Sequence, residues 1–167
     1  RIQSGDNYLV QHNNLNVRQS SSPINLLTLQ LQQDFRLGIL NWQNVLTFQK
    51  SSKEDILPVP TFNAYSNLFI RFKIARVLDV DLGVDGRYFT SYYAPEYIPG
   101  IGAFGIQETD ASRTKIGNYP HLNAYANFQL QHTRFFVMFT HVNSGEGGKY
   151  FYTPHCPLNQ RVLQLGI

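Results

Sequence analysis

The sequence has 167 residues, of which 43% are hydrophobic and 15% are charged, and its formal net charge is +3. This composition excludes a disordered chain, and the scattered basic residues argue against a nucleic-acid partner. No run of about eighteen apolar residues occurs, which excludes a transmembrane helix. The single cysteine, Cys156, cannot form an internal disulfide. Because the chain begins at Arg1, we expect that processing or truncation removed its original start.

The first elements predicted are a loop and a hairpin. Residues 1–22 are polar and rich in Asn, Gln and Ser, so we predict mostly loop with a short strand near Tyr8–Val10. Apolar residues then occupy alternate positions over Ile24–Lys50, which predicts two strands. Gly38-Ile39 fits a type II′ turn between them, with Gly at the first position. The pairs predicted by this turn are Phe35 with Trp42, Leu31 with Leu46, Leu29 with Phe48 and Gln33 with Asn44.

The clearest alternation lies in Pro60–Thr90 and predicts a second hairpin. A three-residue turn at 75–77 joins two strands of about a dozen residues, long enough to cross a tilted bilayer, which takes roughly 9–11. The register places unlike charges opposite each other, which favours this pairing over a one-residue slip. The predicted pairs are Lys73 with Asp79, Arg71 with Asp81, Phe69 with Gly83, Tyr65 with Arg87, Ile74 with Leu78, Phe72 with Val80, Ile70 with Leu82 and Leu68 with Val84.

The rest of the chain repeats this organisation. Pro60–Asn67 recurs in similar form as Pro120–Asn127, which suggests one hairpin unit used twice. In the third hairpin the second strand has apolar residues at both odd and even positions. Which of its side chains lie on the polar face therefore stays open. The remaining predicted elements are a long connection at Ser91–Tyr119, a hairpin at Pro120–Val142 with a tight turn at His132-Thr133, a loop at Asn143–Asn159 and a final strand at Arg161–Ile167.

Tight turns alternate strictly with long connections, as in outer-membrane barrels with short periplasmic turns and long outer loops. Aromatic residues near the strand ends fit interfacial belts. We therefore predict an all-β fold: an antiparallel up-and-down transmembrane β-barrel, or a portion of one, with about seven strands in a single domain over residues 1–167. Bacterial single-chain barrels have an even number of at least eight strands. Either residues 1–22 contain an eighth strand or upstream strands are missing, and we favour the second.

Several segments resemble the C-terminal part of the Bacteroidetes-type putative porins, and the resemblance runs from about Ile24 to the end. It implies a Gram-negative outer-membrane β-barrel that is longer than this chain. Two positions depart from the family pattern: the chain stops at Ile167 instead of a closing aromatic residue, and Cys156 stands where Tyr is frequent. The segments that carry the resemblance are Leu40–Asn44, Phe48–Ser52, Val59–Asn67, Arg87–Pro95, Ile116–Pro120 and Thr133–Phe136.

The polar residues at alternate positions of the second and third hairpins form the candidate site, a lumen wall. Its charges can select ions or solutes, or they can simply pair with each other. No cofactor and no metal are implied. The expected partners are outer-membrane lipid and small solutes or ions, with no nucleic acid, and either a homo-oligomer or an outer-membrane partner protein. The predicted pore-lining residues are Asn63, Tyr65, Asn67, Arg71, Lys73, Asp79, Asp81, Asp85, Arg87, Asn123, Tyr125 and Asn127.

Catalytic and metal interpretations of other residues are weaker. Asp79 and Asp81 lie on one face of a strand, about 6.5–7 Å apart, a separation tolerable for a glycosidase pair. Each has a predicted basic partner, however, which favours the ionised form and argues against a general acid. His155 and Cys156 are adjacent and have no further ligand at metal-site spacing. We therefore predict no enzymatic activity.

The long connections carry two more motifs. Gly100–Gly105 matches G-x-G-x-x-G, but no βαβ unit surrounds it, so a turn within a loop is favoured over a dinucleotide site. The loop tyrosines can stack on sugars, but interfacial anchoring explains them more simply. These tyrosines are Tyr92, Tyr93, Tyr97, Tyr150 and Tyr152.

The predicted function is passive diffusion of ions or small solutes through a polar lumen in the bacterial outer membrane. Two alternatives stay open at this point. One is a non-conducting outer-membrane scaffold or secretion-partner barrel. The other is a soluble carbohydrate-binding β-sandwich, against which strand length and the aromatic belts argue.

Overall fold

A computed structural model of the chain describes residues 2–5, 8–10, 17–19, 23–107, 113–145 and 150–167. These residues form strands, turns and irregular connections, and none of them is helical. The described part of the chain therefore contains no helix that could span a membrane. The strands are β1 (Ile2–Gly5), β2 (Tyr8–Val10), β3 (Val17–Gln19), β4 (Ile24–Leu37), β5 (Leu40–Ser51), β6 (Phe62–Ile74), β7 (Leu78–Phe89), β8 (Glu96–Ile98), β9 (Ala103–Gly105), β10 (His121–Leu130), β11 (Thr133–Thr140), β12 (Phe151–Thr153), β13 (Cys156–Pro157) and β14 (Val162–Gly166).

Eight of these strands form one antiparallel sheet in the order β1-β4-β5-β6-β7-β10-β11-β14. The all-β antiparallel prediction is confirmed, but the predicted count of about seven strands is one too low for this sheet. Residues 2–5, which we expected in a loop, pair with Ile24–Leu27 of β4. In the described residues β1 and β14 occupy the two ends of the sheet without pairing to each other, so no closed barrel is detected.

Both early hairpins have the predicted register. β4 and β5 pair Phe35 with Trp42 and Gln33 with Asn44, and Gly38 at the turn has φ of 60°, as the first position of a type II′ turn requires. β6 and β7 pair Arg71 with Asp81, across the predicted turn at 75–77.

The turn of the third hairpin was predicted one residue too late. It lies at Gln131 and His132, and β11 begins at Thr133 opposite Leu130. Gln131 takes the left-handed conformation with φ of 50°. Both turns hold two residues, so the observed turn shifts the register: Thr133 pairs with Leu130, whereas the predicted turn would have paired Arg134 with Gln131.

The long connections contain short hairpins of their own. β8 pairs with β9, and β12 pairs with β13. Gly100 and Gly102 lie in the turn between β8 and β9, and Gly105 ends β9. The G-x-G-x-x-G segment is therefore a β-hairpin, as its favoured interpretation as a turn predicted.

Burial in the sheet is inverted relative to a soluble protein. We call the face of β6, β7 and β10 that carries Asn67 and Asp85 the polar face, and the opposite face the apolar face. Asn67 and Asp85 are each only 9% exposed, whereas Leu68 and Val84, beside them in the chain on the apolar face, are 46% and 49% exposed. Val80 is the exception on the apolar face, buried between its cross-strand neighbours Phe72 and Phe128.

Candidate functional site

The twelve predicted pore-lining residues all lie on β6, β7 and β10, and the observed registers place them on the polar face. The pairing arranges them in rows across the three strands. One row runs Asn67, Asp85, Asn123 and the next but one runs Arg71, Asp81, Asn127. The sheet therefore brings together residues 56 positions apart in the sequence, because antiparallel pairing places alternate residues of each strand on the same face.

Two ion pairs lie near the tight turn of β6 and β7. Arg71 binds Asp81 through both Nε and Nη2, at 2.7 and 2.8 Å from the two carboxylate oxygens. Lys73 Nζ lies 3.3 Å from Asp79 Oδ1. Exposed pairs of this kind contribute little to stability, but they hold the charged side chains against the wall. Both carboxylates are thus engaged with the cations that the predicted register placed opposite them.

A hydrogen-bonded row crosses the middle of the polar face. The Tyr125 hydroxyl donates to Asn67 Oδ1 at 2.9 Å, and Asn67 Nδ2 donates to Gln43 Oε1 on β5 at 3.3 Å. Tyr125 reaches over β7 because Gly83 lies between the two strands without a side chain. A Cβ at position 83 would be 2.7 Å from Tyr125 Cζ and 2.6 Å from Phe69 Cβ.

The loop end of the polar face carries a second row. Asn123 Nδ2 donates to Asp85 Oδ2 at 3.0 Å, while Asn123 Oδ1 accepts from the backbone N–H of His141 at 3.0 Å. The Arg87 guanidinium lies over the Tyr65 ring, 5.6 Å from its centroid. Within the described residues no buried side-chain polar atom lacks a hydrogen-bond partner, so the buried polar groups of this face are satisfied.

Arg134 belongs to this surface although the sequence analysis left its facing open. It pairs with Gln129 on β10 and, with Arg71 and Asp81, lines a concavity of about 420 Å³. The described residues show no ion-pair partner for Arg134. A sequence signal existed, since any two-residue turn after β10 places Arg134 on the face of Gln129. Gln43 was missed because its strand was assigned by its apolar residues alone.

The apolar face contains one polar cluster. Trp42 Nε1 donates to Ser66 Oγ at 2.9 Å, and the Ser66 hydroxyl donates to Asn44 Oδ1 at 2.9 Å. Asn44 lies opposite Gln33, as the hairpin register predicted. The cluster therefore satisfies the indole and hydroxyl groups from within the face, as a lipid-exposed surface would require.

The histidines and the cysteine do not form a metal centre in the described part of the chain, where no three His, Cys, Asp or Glu side chains come together. His155 Nε2 lies 3.5 Å from Glu96 Oε1, and Cys156 is an exposed thiol. His141 is 1% exposed, and its ring Nδ1 lies 2.6 Å from the Asn159 carbonyl oxygen. Tyr119 Oη lies 2.8 Å from the other ring nitrogen, Nε2. His141 is therefore a packed core residue at the base of the loops.

The model of a protein family described as putative porins matches residues 1–167, the whole chain. The chain belongs to this porin family. No curated protein and no solved structure matches it. The resemblance noted in the sequence is thus confirmed over a longer range than the segments that carried it.

Proposed function

We propose that this porin-family chain forms the wall of an outer-membrane β-barrel through which ions or small solutes diffuse passively. The observation that carries the proposal is the inverted burial of the sheet: Asn67 and Asp85 are buried while Leu29 and Leu31 are each 57% exposed. Lipid covers such an apolar face at no cost, and water fills the space beside such a polar one. A soluble β-sandwich would need a second sheet over the apolar face, and the described residues supply none.

The strand lengths support a membrane span. β6 has 13 residues, and at roughly 3.3 Å per residue it extends about 43 Å. A tilt of about 45° projects that length onto about 30 Å, the thickness of the hydrocarbon core. Phe35 and Trp42 stack with ring centroids 5.6 Å apart on the apolar face beside the tight turn, where an interfacial belt would lie.

The unpaired edges of the sheet support closure of the barrel by further strands. β1 covers only Ile24–Leu27 of β4, so the backbone groups of Leu29–Leu37 have no ladder partner on that side in the described residues. In lipid each unpaired backbone group costs several kcal/mol. The proposed barrel therefore pairs this edge and the outer edge of β14 with further strands, which agrees with the barrel longer than this chain that the resemblance implies.

The mechanism is diffusion down a gradient along the polar face. Two of its cations, Arg71 and Lys73, are paired with carboxylates, so they add little to the net electric field in the lumen. Arg134 and Arg87 are held by no carboxylate among the described residues, and Asp85 is held by an amide. The wall therefore has fixed charges of both signs with a small cationic excess, which favours weak rather than strict ion selectivity.

A second candidate is a non-conducting scaffold barrel. It is supported by the row from Tyr125 through Asn67 to Gln43, since hydrogen-bonded side chains of this kind also occur in filled barrel interiors. Conductance separates the two functions because they differ in whether water fills the lumen.

The test is single-channel recording of the full parent protein in a planar bilayer. Discrete steps that persist over a range of voltages are expected for the porin. The matched control is protein unfolded by heat before addition, which should give no steps. Silence from protein that is shown to be inserted would overturn the pore and leave the scaffold, while failure to insert would revive the soluble sandwich.

A further inference from the structure

A cavity of about 220 Å³ opens among the long connections, at the end of the sheet opposite the tight turns. Three chain segments line it: the connection after β5, the residues that follow β7, and the connection that precedes β10. Pockets for drug-sized ligands hold roughly 300–1,000 Å³, so this cavity suits a smaller molecule. It lies where a solute would enter the proposed pore.

The two charged segments of the cavity have opposite signs. Glu54 and Asp55 come from the connection after β5, whereas Arg113 and Lys115 come from the connection before β10. Glu54 is already bound to Lys50 at 2.8 Å. Among the described residues, neither Asp55 nor Lys115 makes an ion pair. One carboxylate and one ammonium group therefore face the same cavity without neutralising each other.

The cationic segment is held in place by a buried amide. Gln107 is 6% exposed; its Nε2 donates to the carbonyls of Ala94 and Thr114 at 2.7 and 2.9 Å, and its Oε1 accepts from the Thr114 N–H at 2.7 Å. Backbone hydrogen bonds between Tyr92 and Ile116 continue this contact. The segment carrying Lys115 is thus an irregular connection held by the Gln107 amide and one β-bridge, so less ordering is needed when a ligand binds.

Two tyrosines complete the cavity. The Tyr93 ring has the Arg113 guanidinium 5.1 Å and the Lys115 ammonium 5.0 Å from its centroid. This ring is engaged with cations, which argues against the sugar-stacking interpretation of Tyr93. Burial raises the pKa of the Tyr92 phenol, so Tyr92 presents a neutral hydroxyl to the cavity at neutral pH.

We propose that this cavity binds a small zwitterion, such as an amino acid or short peptide, with its ammonium group on Asp55 and its carboxylate on Lys115. A ligand with a single charge would meet one unlike and one like group, and a neutral ligand would leave both desolvated and unpaired. The inference rests on the proposed function only in treating the bound zwitterion as a solute of the pore. Binding to the cavity itself does not require conduction.

The experiment measures binding by isothermal titration calorimetry on the detergent-solubilised full protein, with the dipeptide alanyl-alanine at neutral pH as the probe. Saturable binding is expected for the unmodified protein. Asp55→Asn and Lys115→Gln should each weaken it at least tenfold, and Lys115→Arg should restore it. Arg76→Gln, which removes a cation from the tight turn at the far end of the sheet, is the matched control and should leave binding unchanged.

A second titration needs no variant and so does not depend on how the variants fold. N-acetyl-alanyl-alanine amide has the same shape without the charges, and it should not bind. Binding of the blocked peptide as tight as that of the free one would overturn the proposal, as would no binding of alanyl-alanine, or binding by Asp55→Asn and Lys115→Gln as tight as that of the unmodified protein.

Conductance measured on the same preparation separates this inference from the proposed function. Protein that conducts but does not bind alanyl-alanine would overturn the site and leave the pore. Protein that binds with the expected variant pattern but does not conduct would support the site and overturn the pore.

Discussion

Tyr125 and Asn67 are hydrogen-bonded across an intervening strand, with the hydroxyl 2.9 Å from the amide oxygen. Their strands, β10 and β6, each pair with β7 and not with each other. The bond forms because Gly83 of β7 leaves room for the tyrosine ring to lie over the backbone. Phe136 packs against Gly166 of the neighbouring strand pair in the same way. Glycine beneath an aromatic ring therefore recurs on the polar face.

Gly83→Ala should destabilise the sheet by about 1–3 kcal/mol, because the added methyl would lie 2.6 Å from Phe69 Cβ and 2.7 Å from Tyr125 Cζ. Denaturant unfolding in detergent measures the change. Gly100→Ala is the matched control, since nothing lies within 4 Å of a Cβ there and its φ is not positive. Equal unfolding midpoints for the two variants would contradict the close approach.

Ser66→Ala should cost about 1–3 kcal/mol, because it leaves the Trp42 indole N–H and the Asn44 amide oxygen without their shared partner. Trp42 is the only tryptophan, so its emission reports the site directly and should shift in this variant. Ser144→Ala serves as control, since no hydrogen bond among the described residues uses the Ser144 hydroxyl. An unchanged emission spectrum in Ser66→Ala would refute the indole contact.

Arg134→Glu should shift the reversal potential in a salt gradient toward cation selectivity, because Arg134 has no carboxylate partner among the described residues. Removing a neutral pair with Lys73→Gln and Asp79→Asn together should change selectivity far less, because the charges lost are opposite and 3.3 Å apart. A larger shift in the double variant would mean that Arg134 lies away from the ion path.

His141→Ala should destabilise the loop end by about 2–4 kcal/mol, since the side chain is buried and its ring nitrogens lie within hydrogen-bonding distance of Asn159 and Tyr119. A carbonyl oxygen only accepts, so Nδ1 must carry a proton, which nitrogen-15 NMR can detect directly. His132→Ala, in an exposed turn, is the control. An unprotonated Nδ1 at neutral pH would refute this hydrogen bond.

The registers of the first two hairpins could be predicted from the sequence because each rests on short-range information. Period-two alternation separates the faces, and the unlike charges of Arg71 and Asp81 select one register over its neighbours. The turn after β10 was misplaced because no charge pair or glycine marks it, and the facing of Arg134 stayed open since apolar residues occupy both parities of β11.

The loop features were beyond sequence reasoning. Gln107 and Lys115 belong to a cavity whose other wall is Asp55, about sixty residues earlier, and no periodicity links such positions. His141 likewise gives no local signal, because its partners Tyr119 and Asn159 lie in other segments. These contacts depend on how irregular connections fold back over the sheet end.

The sequence by itself determined an antiparallel sheet with one polar and one apolar face, since alternation and turn chemistry act between near neighbours. Only the tertiary structure decided that β1 joins the sheet, that Tyr125 crosses Gly83 to Asn67, and that Asp55 and Lys115 share a cavity. Those relationships join residues distant in the chain, and their geometry depends on sheet twist and loop packing, which no local pattern of residues encodes.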